Sequence, residues 1–176
     1  MEMTFCRRCG SKFNESANHI YICANGHTIY ANASPTVGIF FVTDDNQVLV
    51  SRRGIEPFKG QLDSFGGFLD GKESFEQAAV RELEEELSLM PEDYEPLQYL
   101  CSHPGAYPFA GEVIPITSVF FWSRLTTTRP LIPLDDVAEI VSVPLFEFKS
   151  DEVSEDIRAG ITQLQQIISQ QSTITV

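Results

Sequence analysis

Glu73, Glu82, Glu85 and Glu86, with Arg81 among them and the glycine pair Gly66-Gly67 ahead of them, are the residues of this chain best placed to do chemistry. On an α-helix successive side chains turn by roughly 100°, so Glu82, Glu85 and Glu86 share an arc of about 100°. Carboxylates held that close repel one another unless a cation lies between them. A hard divalent ion that prefers oxygen ligands, Mg²⁺ or Mn²⁺, fits such a set. Arg81 stands one turn before Glu85 and is placed to neutralise and orient it. Acidic runs of this kind are usually solvated helix faces. Here the glycine pair, Glu73 and Arg81 stand at fixed upstream offsets, and those added constraints favour a site.

The helix that must carry these groups is itself legible. Ser74 followed by Gln77 is a capping-box start. Phe75, Ala79, Leu83 and Leu87 recur every fourth residue beside Val80, a stripe that can dock on a core. Gly66 and Gly67 let the preceding backbone turn tightly and approach a ligand without Cβ hindrance.

Gly67–Leu89 resembles the Nudix box, G-x5-E-x7-R-E-U-x-E-E-x-G-U with U aliphatic, at Gly67, Glu73, Arg81, Glu82, Leu83, Glu85, Glu86 and Leu89. The one departure is Ser88, where the family prefers glycine for the helix C-terminus. The resemblance implies the Nudix fold, an α/β/α sandwich with a mixed sheet (α/β, or α+β, class), over residues 34–176. It further implies Mg²⁺- or Mn²⁺-dependent hydrolysis of a nucleoside diphosphate linked to another moiety, such as NADH or ADP-ribose. Glu82, Glu85 and Glu86 would be the metal ligands, with the Gly67 carbonyl as an extra one and Arg81 orienting Glu85. Family members draw the general base either from the box or from a later loop, which leaves a box glutamate (Glu82 or Glu85), Glu112 and, behind it, Glu139 as candidates.

The elements around the box read as strands at Val37–Val42 and Gln47–Ser51, a basic loop to Gly60, strands at Tyr99–Ser102 and Thr117–Leu125 with a loop at His103–Pro115 between them, and a strand at Ala138–Val143. A helix is expected from about Asp151 to Ser169, with its apolar spacing at Ile157, Ile161, Leu164, Ile167 and Ile168. Arg52 and Arg53 follow the second strand and could meet phosphates. Tyr107 and Phe109 could stack on a base.

Cys6 and Cys9 form a C-x2-C pair, and Cys23 is followed four residues on by His27. Two such pairs would satisfy tetrahedral Zn²⁺, with His19 the competing fourth ligand. A segment of residues 1–33 is too short to build a core of its own, so a structural metal would supply folding energy. The segment resembles the zinc ribbon that precedes the Nudix domain in NADH pyrophosphatase relatives. It departs from them at Gly26, where a cysteine is expected, and at Tyr30-Ala31-Asn32, where those proteins carry Y-P-R. Cys101, among apolar neighbours, reads as a structural thiol.

A chain of 176 residues with 43% hydrophobic content can bury one good-sized core and a small appendage. Its net charge of −13 argues against a nucleic-acid polymer as partner, though not against a small phosphorylated substrate approached through metal. No apolar run approaches the roughly 20 residues of a membrane span. The N-terminal residues lack an apolar signal core, so the expected location is cytoplasmic. The family resemblance adds a homodimer as an assembly to test. Two other readings remain: a nucleoside triphosphate pyrophosphohydrolase, and a non-catalytic nucleotide-sensing domain, which commonly loses box glutamates that this chain retains.

Overall fold

Side chains alternate across strand β4 (Ser34–Val42), and that alternation divides the larger part of the molecule into layers. In the computed structural model, which describes residues 3–149 and 153–174, Val37, Ile39 and Phe41 enter one apolar cluster while Phe40 and Val42 enter another. The first cluster takes in Ala78, Ala79, Leu83 and Leu87 of helix α1 (Phe75–Leu87). The second takes in Ile157, Ile161, Leu164 and Ile168 of helix α2 (Glu155–Ile174). β4 is therefore buried on both faces, which is why it reads as a nearly continuous apolar run. The result is the expected sandwich of helix, sheet and helix. The expected start of α2 near Asp151 lies outside the described residues, and the helix begins at Glu155.

The sheet runs β6 (Leu62–Asp63), β5 (Gln47–Arg53), β4, β8 (Glu112–Ser123) and β7 (Gln98–Phe109), with β9 (Val137–Pro144) also pairing with β5. β5 and β9 are antiparallel from Gln47↔Pro144 to Arg53↔Val137, with a register shift between Arg52 and Arg53. Three short antiparallel strands, β1 (Phe13–Ala17), β2 (Ile20–Cys23) and β3 (Thr28–Tyr30), form a separate sheet. Their small core holds Cys6, Cys23 and Ile29, with Met3 and Phe13 packed against it. By compactness the chain divides into two units. One comprises the residues up to Ser34 together with Ala106–Ile116, and the other Pro35–Gly105 together with Thr117 onward.

One stretch differs from the sequence expectation. His103–Pro115 is not a loop: β7 and β8 run on to a two-residue turn at Ala110-Gly111, both with positive φ. Pro104 and Pro108 suggested a break. β7 ends the sheet order, and residues four apart present their backbone N–H to the same side, so both prolines are tolerated along an unpaired edge.

Helix α1 starts as its sequence indicates. The Gln77 N–H donates to Ser74 Oγ and the Ser74 N–H to Gln77 Oε1, completing the capping box. At the other end Ser88 adopts φ 51°, ψ 34°, the left-handed conformation that glycine takes at lower cost. Its N–H bonds to the Glu84 carbonyl and that of Leu89 to the Leu83 carbonyl, closing the helix in a Schellman-like turn. Replacing the exposed Ser88 by glycine is expected to stabilise the protein by about 1 kcal/mol through relief of this conformation. Chemical denaturation of S88G beside the parent, with the midpoint raised at unchanged slope, checks it.

Candidate active site

The turn before α1 brings backbone and carboxylates together with little room to spare. Gly66 has φ +131°, and a Cβ there would lie 2.2 Å from the Val37 carbonyl oxygen, so only glycine fits. Its N–H donates to Glu86 Oε2 at 2.9 Å. A Cβ on Gly67 would lie 2.7 Å from Glu82 Oε1, while the Gly67 carbonyl accepts the Val37 N–H at 2.9 Å. The two glycines thus pin the turn to β4 and leave space for the helix carboxylates.

Arg81 gathers the next groups. Its Nε and Nη2 donate to the two oxygens of Glu73 at 3.1 and 2.6 Å, and Nη2 also reaches the Phe68 carbonyl at 3.1 Å. Nη1 donates to Glu82 Oε1 at 2.9 Å and to Glu85 Oε2 at 3.0 Å. Glu73 in turn accepts the Asp70 N–H, and these hydrogen bonds hold its carboxyl below the usual range. The bidentate Glu73–Arg81 pair is a rigid bracket whose remaining N–H groups orient Glu82 and Glu85.

Burial falls along the set. Glu86 is 3% exposed and Glu82 8%, whereas the Glu85 side chain is half exposed. Burial raises the Glu82 carboxyl against the pull of Arg81. Burial, followed by a hydrogen bond and like charge from Asp136, pushes Glu86 up to about 10. Asp136, which the sequence reading does not single out, stands within hydrogen-bonding reach of the Glu86 carboxyl. Its backbone is held on both sides: the Gly54 N–H donates to the Asp136 carbonyl at 2.6 Å, and the Leu134 N–H to the Glu86 carbonyl at 2.8 Å. Crowded carboxylate oxygens with glycine-cleared space beside them fit a hard divalent cation.

Arg52 and Arg53, expected after the second strand, are the last two residues of β5, and they part company. Arg52 donates to Glu139 at 2.9 Å and to the Gly60 carbonyl, and its side chain is 39% exposed. Glu139 is thus an ion-pair partner across the sheet. Arg53 faces Asp63 and Asp136, and burial lifts the Asp63 carboxyl to about 6 against that pull. Tyr107, Phe109 and Glu112 belong to the compact unit formed with the N-terminal residues; Phe109 and Glu112 are exposed and Tyr107 half-buried.

A second constellation lies in that unit. The ligand atoms of Cys6, Cys9, Cys23 and His27 all fall within 4.8 Å of one another. His27 Nδ1 is 3.3 Å from Cys9 Sγ and 3.7 Å from Cys6 Sγ, and Cys9 Sγ is 3.8 Å from Cys23 Sγ. Tetrahedral thiolate and imidazole ligands at ordinary metal distances stand about 3.5–3.8 Å apart, so the four can hold one ion. His27, not His19, is the histidine in the group; His19 sits at the β1–β2 turn, where its carbonyl accepts the Ala31 N–H. Two turns shape the cluster, Gly10 N–H to the Cys6 carbonyl and Gly26 N–H to the Cys23 carbonyl, each glycine at positive φ. Hydrogen bonds from the Ser11 backbone and hydroxyl and then the Asn25 amide draw the Cys9 thiol down to about 5, favouring thiolate.

Comparison with known proteins follows this geometry. Among curated proteins the chain is 32% identical over 111 residues to the human mitochondrial NAD(P)H pyrophosphatase NUDT13, covering 62% of this chain and 30% of that one. It is 30% identical over 108 residues to the NAD-capped RNA hydrolase NudC of Vibrio atlanticus, covering 60% and 38%. The chain therefore spans well under half the length of these relatives. An ADP-ribose pyrophosphatase of Methanocaldococcus jannaschii is 37% identical over 78 residues, 44% of this chain and 45% of that one. Among solved structures, a NUDIX hydrolase from Nitrosomonas europaea superposes with a TM-score of 0.67 at 21% identity, covering 97% and 93%. The NUDIX domain of Shewanella oneidensis NrtR, complexed with ADP ribose, gives 0.62 at 23% identity, covering 79% and 90%. Residues 33–163 match the NUDIX domain family, and the chain belongs to it.

Proposed function

We propose that this chain is a pyrophosphohydrolase that uses Mg²⁺ or Mn²⁺ to split the diphosphate of a small nucleoside diphosphate linked to another moiety. The observation that carries this reading is the convergence of Glu82, Glu85, Glu86 and Asp136 beside a glycine-cleared turn, with Arg81 bracketing one side. Glu82, Glu85, Glu86 and the Gly67 carbonyl would hold the divalent ion, which when bound supplies charge neutralisation and an acidified water. Glu85, half exposed and oriented by Arg81, is placed to accept the proton of the attacking water. The new P–O bond forms as the bridging oxygen leaves with the other phosphate. Arg52 is the exposed cation for a phosphate. Glu112 as an alternative base, and Tyr107 and Phe109 as faces for a nucleobase, stay expectations of the sequence and its family resemblance, to be tested by substitution.

NAD(P)H, an NAD cap and ADP-ribose, which the relatives' names contain, share an adenosine diphosphate group. The net charge of −13 favours a small member of that class over an RNA polymer. Residues 1–33 form the zinc-ribbon segment and residues 34–176 the catalytic domain in this reading. A reducing, cytoplasmic setting suits thiols that converge as ligands while remaining unpaired.

A nucleotide panel with product identification tests the reaction. A nucleoside monophosphate plus a phosphorylated second product is expected from dinucleotides or ADP-ribose. Pyrophosphate from triphosphates, or tight binding with no turnover, would refute it. Glu85→Gln and Glu86→Gln should each lower kcat by about 10²–10³-fold, and Glu112→Gln should not if Glu85 is the base.

The raised Glu86 carboxyl also sets a pH dependence. Between the ordinary carboxylate range and about 10, the folded metal-free protein binds a proton that the unfolded chain has lost. Its stability must therefore fall as pH rises through that window. Melting temperatures from pH 5 to 9 should decline without metal, flatten in Glu86→Gln, and recover with Mg²⁺. Calorimetry in two buffers of different ionisation enthalpy should show proton release on Mg²⁺ binding.

The cysteine cluster is read as a structural Zn²⁺ site. Elemental analysis should find one zinc per chain, retained in His19→Ala and lost in Cys9→Ser and His27→Ala. Zinc-free protein with freely reactive Cys6 and Cys9 would refute it.

A further inference from the structure

Arg53 closes β5 with a side chain only 12% exposed, and each of its three guanidinium nitrogens faces an oxygen of this chain. Nε donates to the Pro57 carbonyl at 2.9 Å, Nη1 to Asp63 Oδ2 at 3.2 Å, and Nη2 lies 3.4 Å from Asp136 Oδ2. A phosphate-gripping arginine needs N–H groups open to solvent, and the Arg52 side chain, 39% exposed, is the more open of the two. The register explains the difference. Arg52 stands opposite Glu139 and Arg53 opposite Val137, so Ala138 is passed over. That bulge re-aims Arg53 toward the residue just before Val137. The next backbone group completes the grip, because the Gly54 N–H donates to the Asp136 carbonyl.

We propose that Arg53, braced by Asp63 and the Pro57 carbonyl, is a positioning residue that holds the Asp136 carboxylate against Glu86 and so shapes the divalent-cation site. The inference rests on the reading of Glu82, Glu85 and Glu86 as metal ligands. Arg81 braces that set from the Glu73 side and Arg53 from the Asp136 side. Neither cation needs to touch substrate, and each acts through a carboxylate. Asp63, supplied by the short strand β6, keeps the guanidinium from swinging toward phosphate. It thereby commits Arg53 to the protein.

Binding of Mn²⁺ alone, followed by titration calorimetry or by loss of the free-ion spin-resonance signal, separates this role from others. Wild type should bind Mn²⁺ and Glu86→Gln should not. Arg53→Gln is expected to weaken Mn²⁺ binding by about 10–100-fold, the range of outer-sphere ligand orientation. Its kcat should fall with little change in KM, and Arg53→Lys should recover part of the affinity. Asp63→Asn, which leaves the guanidinium in place, should weaken Mn²⁺ binding in the same direction and guards against a misfolded Arg53 variant. Adding Arg53→Gln to Asp136→Asn should cost little more than Asp136→Asn alone. Unchanged Mn²⁺ affinity with a large rise in KM would make Arg53 a substrate contact and overturn the proposal. So would unchanged affinity with a lowered melting temperature alone. Wild type that binds no Mn²⁺ would overturn the ligand assignment itself, and this inference with it.

Discussion

Repulsion among carboxylates that the fold forces together is the constraint on which the rest of the site depends. Glu82 and Glu86 are nearly buried, and Asp136 lies against Glu86. A charged acid in such surroundings is costly unless it is paired or bound to a cation. The chain meets the cost with Arg81 on one side, with backbone N–H groups such as that of Gly66, and with a raised Glu86 carboxyl. Natural sequences break the rules of polar burial mainly where function demands it. Here the violation is local, and the two apolar clusters on either side of the sheet keep to the rules.

Those clusters are also what hold the site in register. The Val37 side chain is packed in the α1 cluster, while its backbone N–H donates to the Gly67 carbonyl and its carbonyl crowds against Gly66. Packing of α1 on the sheet and placement of the glycine turn are therefore one event. The same helix carries Leu83 and Leu87 into the core one residue after Glu82 and Glu86. A shift of α1 by a fraction of a turn would move apolar anchors and ligands together, so the core fixes the acids more tightly than loops could.

How much of this was legible follows from how far apart the interacting residues are in the chain. The box lies on one turn and one helix, where 3.6-residue periodicity converts spacing into direction; the capping box and the Arg81 contacts appear as read, and the stripe does at Phe75, Ala79, Leu83 and Leu87, with Ala78 in the core in place of Val80. The cysteine cluster is similar, because C-x2-C pairs carry their own turn geometry. Asp136 was invisible because its contact with Glu86 spans fifty residues and depends on the β5–β9 register and the Leu134–Glu86 backbone bond. The β7–β8 hairpin was misread as a loop because prolines signal breaks, and only the sheet order reveals that β7 lies at an end. Arg52 and Arg53 looked equivalent in sequence; a single bulge separates one exposed cation from one enclosed between two aspartates.

The acidity of the chain bears on selectivity in the same terms. With a net charge of −13, the protein would repel a diphosphate at long range. In the proposed reading, a divalent ion among the site carboxylates would change the sign of the local field, and a phosphorylated substrate would then be attracted over a short distance set by screening. A long polyanion would keep most of its charge outside that zone and continue to be repelled, while a small nucleotide would place most of its charge within it. Arg52, half turned to solvent and tethered only by Glu139 and the Gly60 carbonyl, can add to that short-range attraction without reversing the sign of the whole surface.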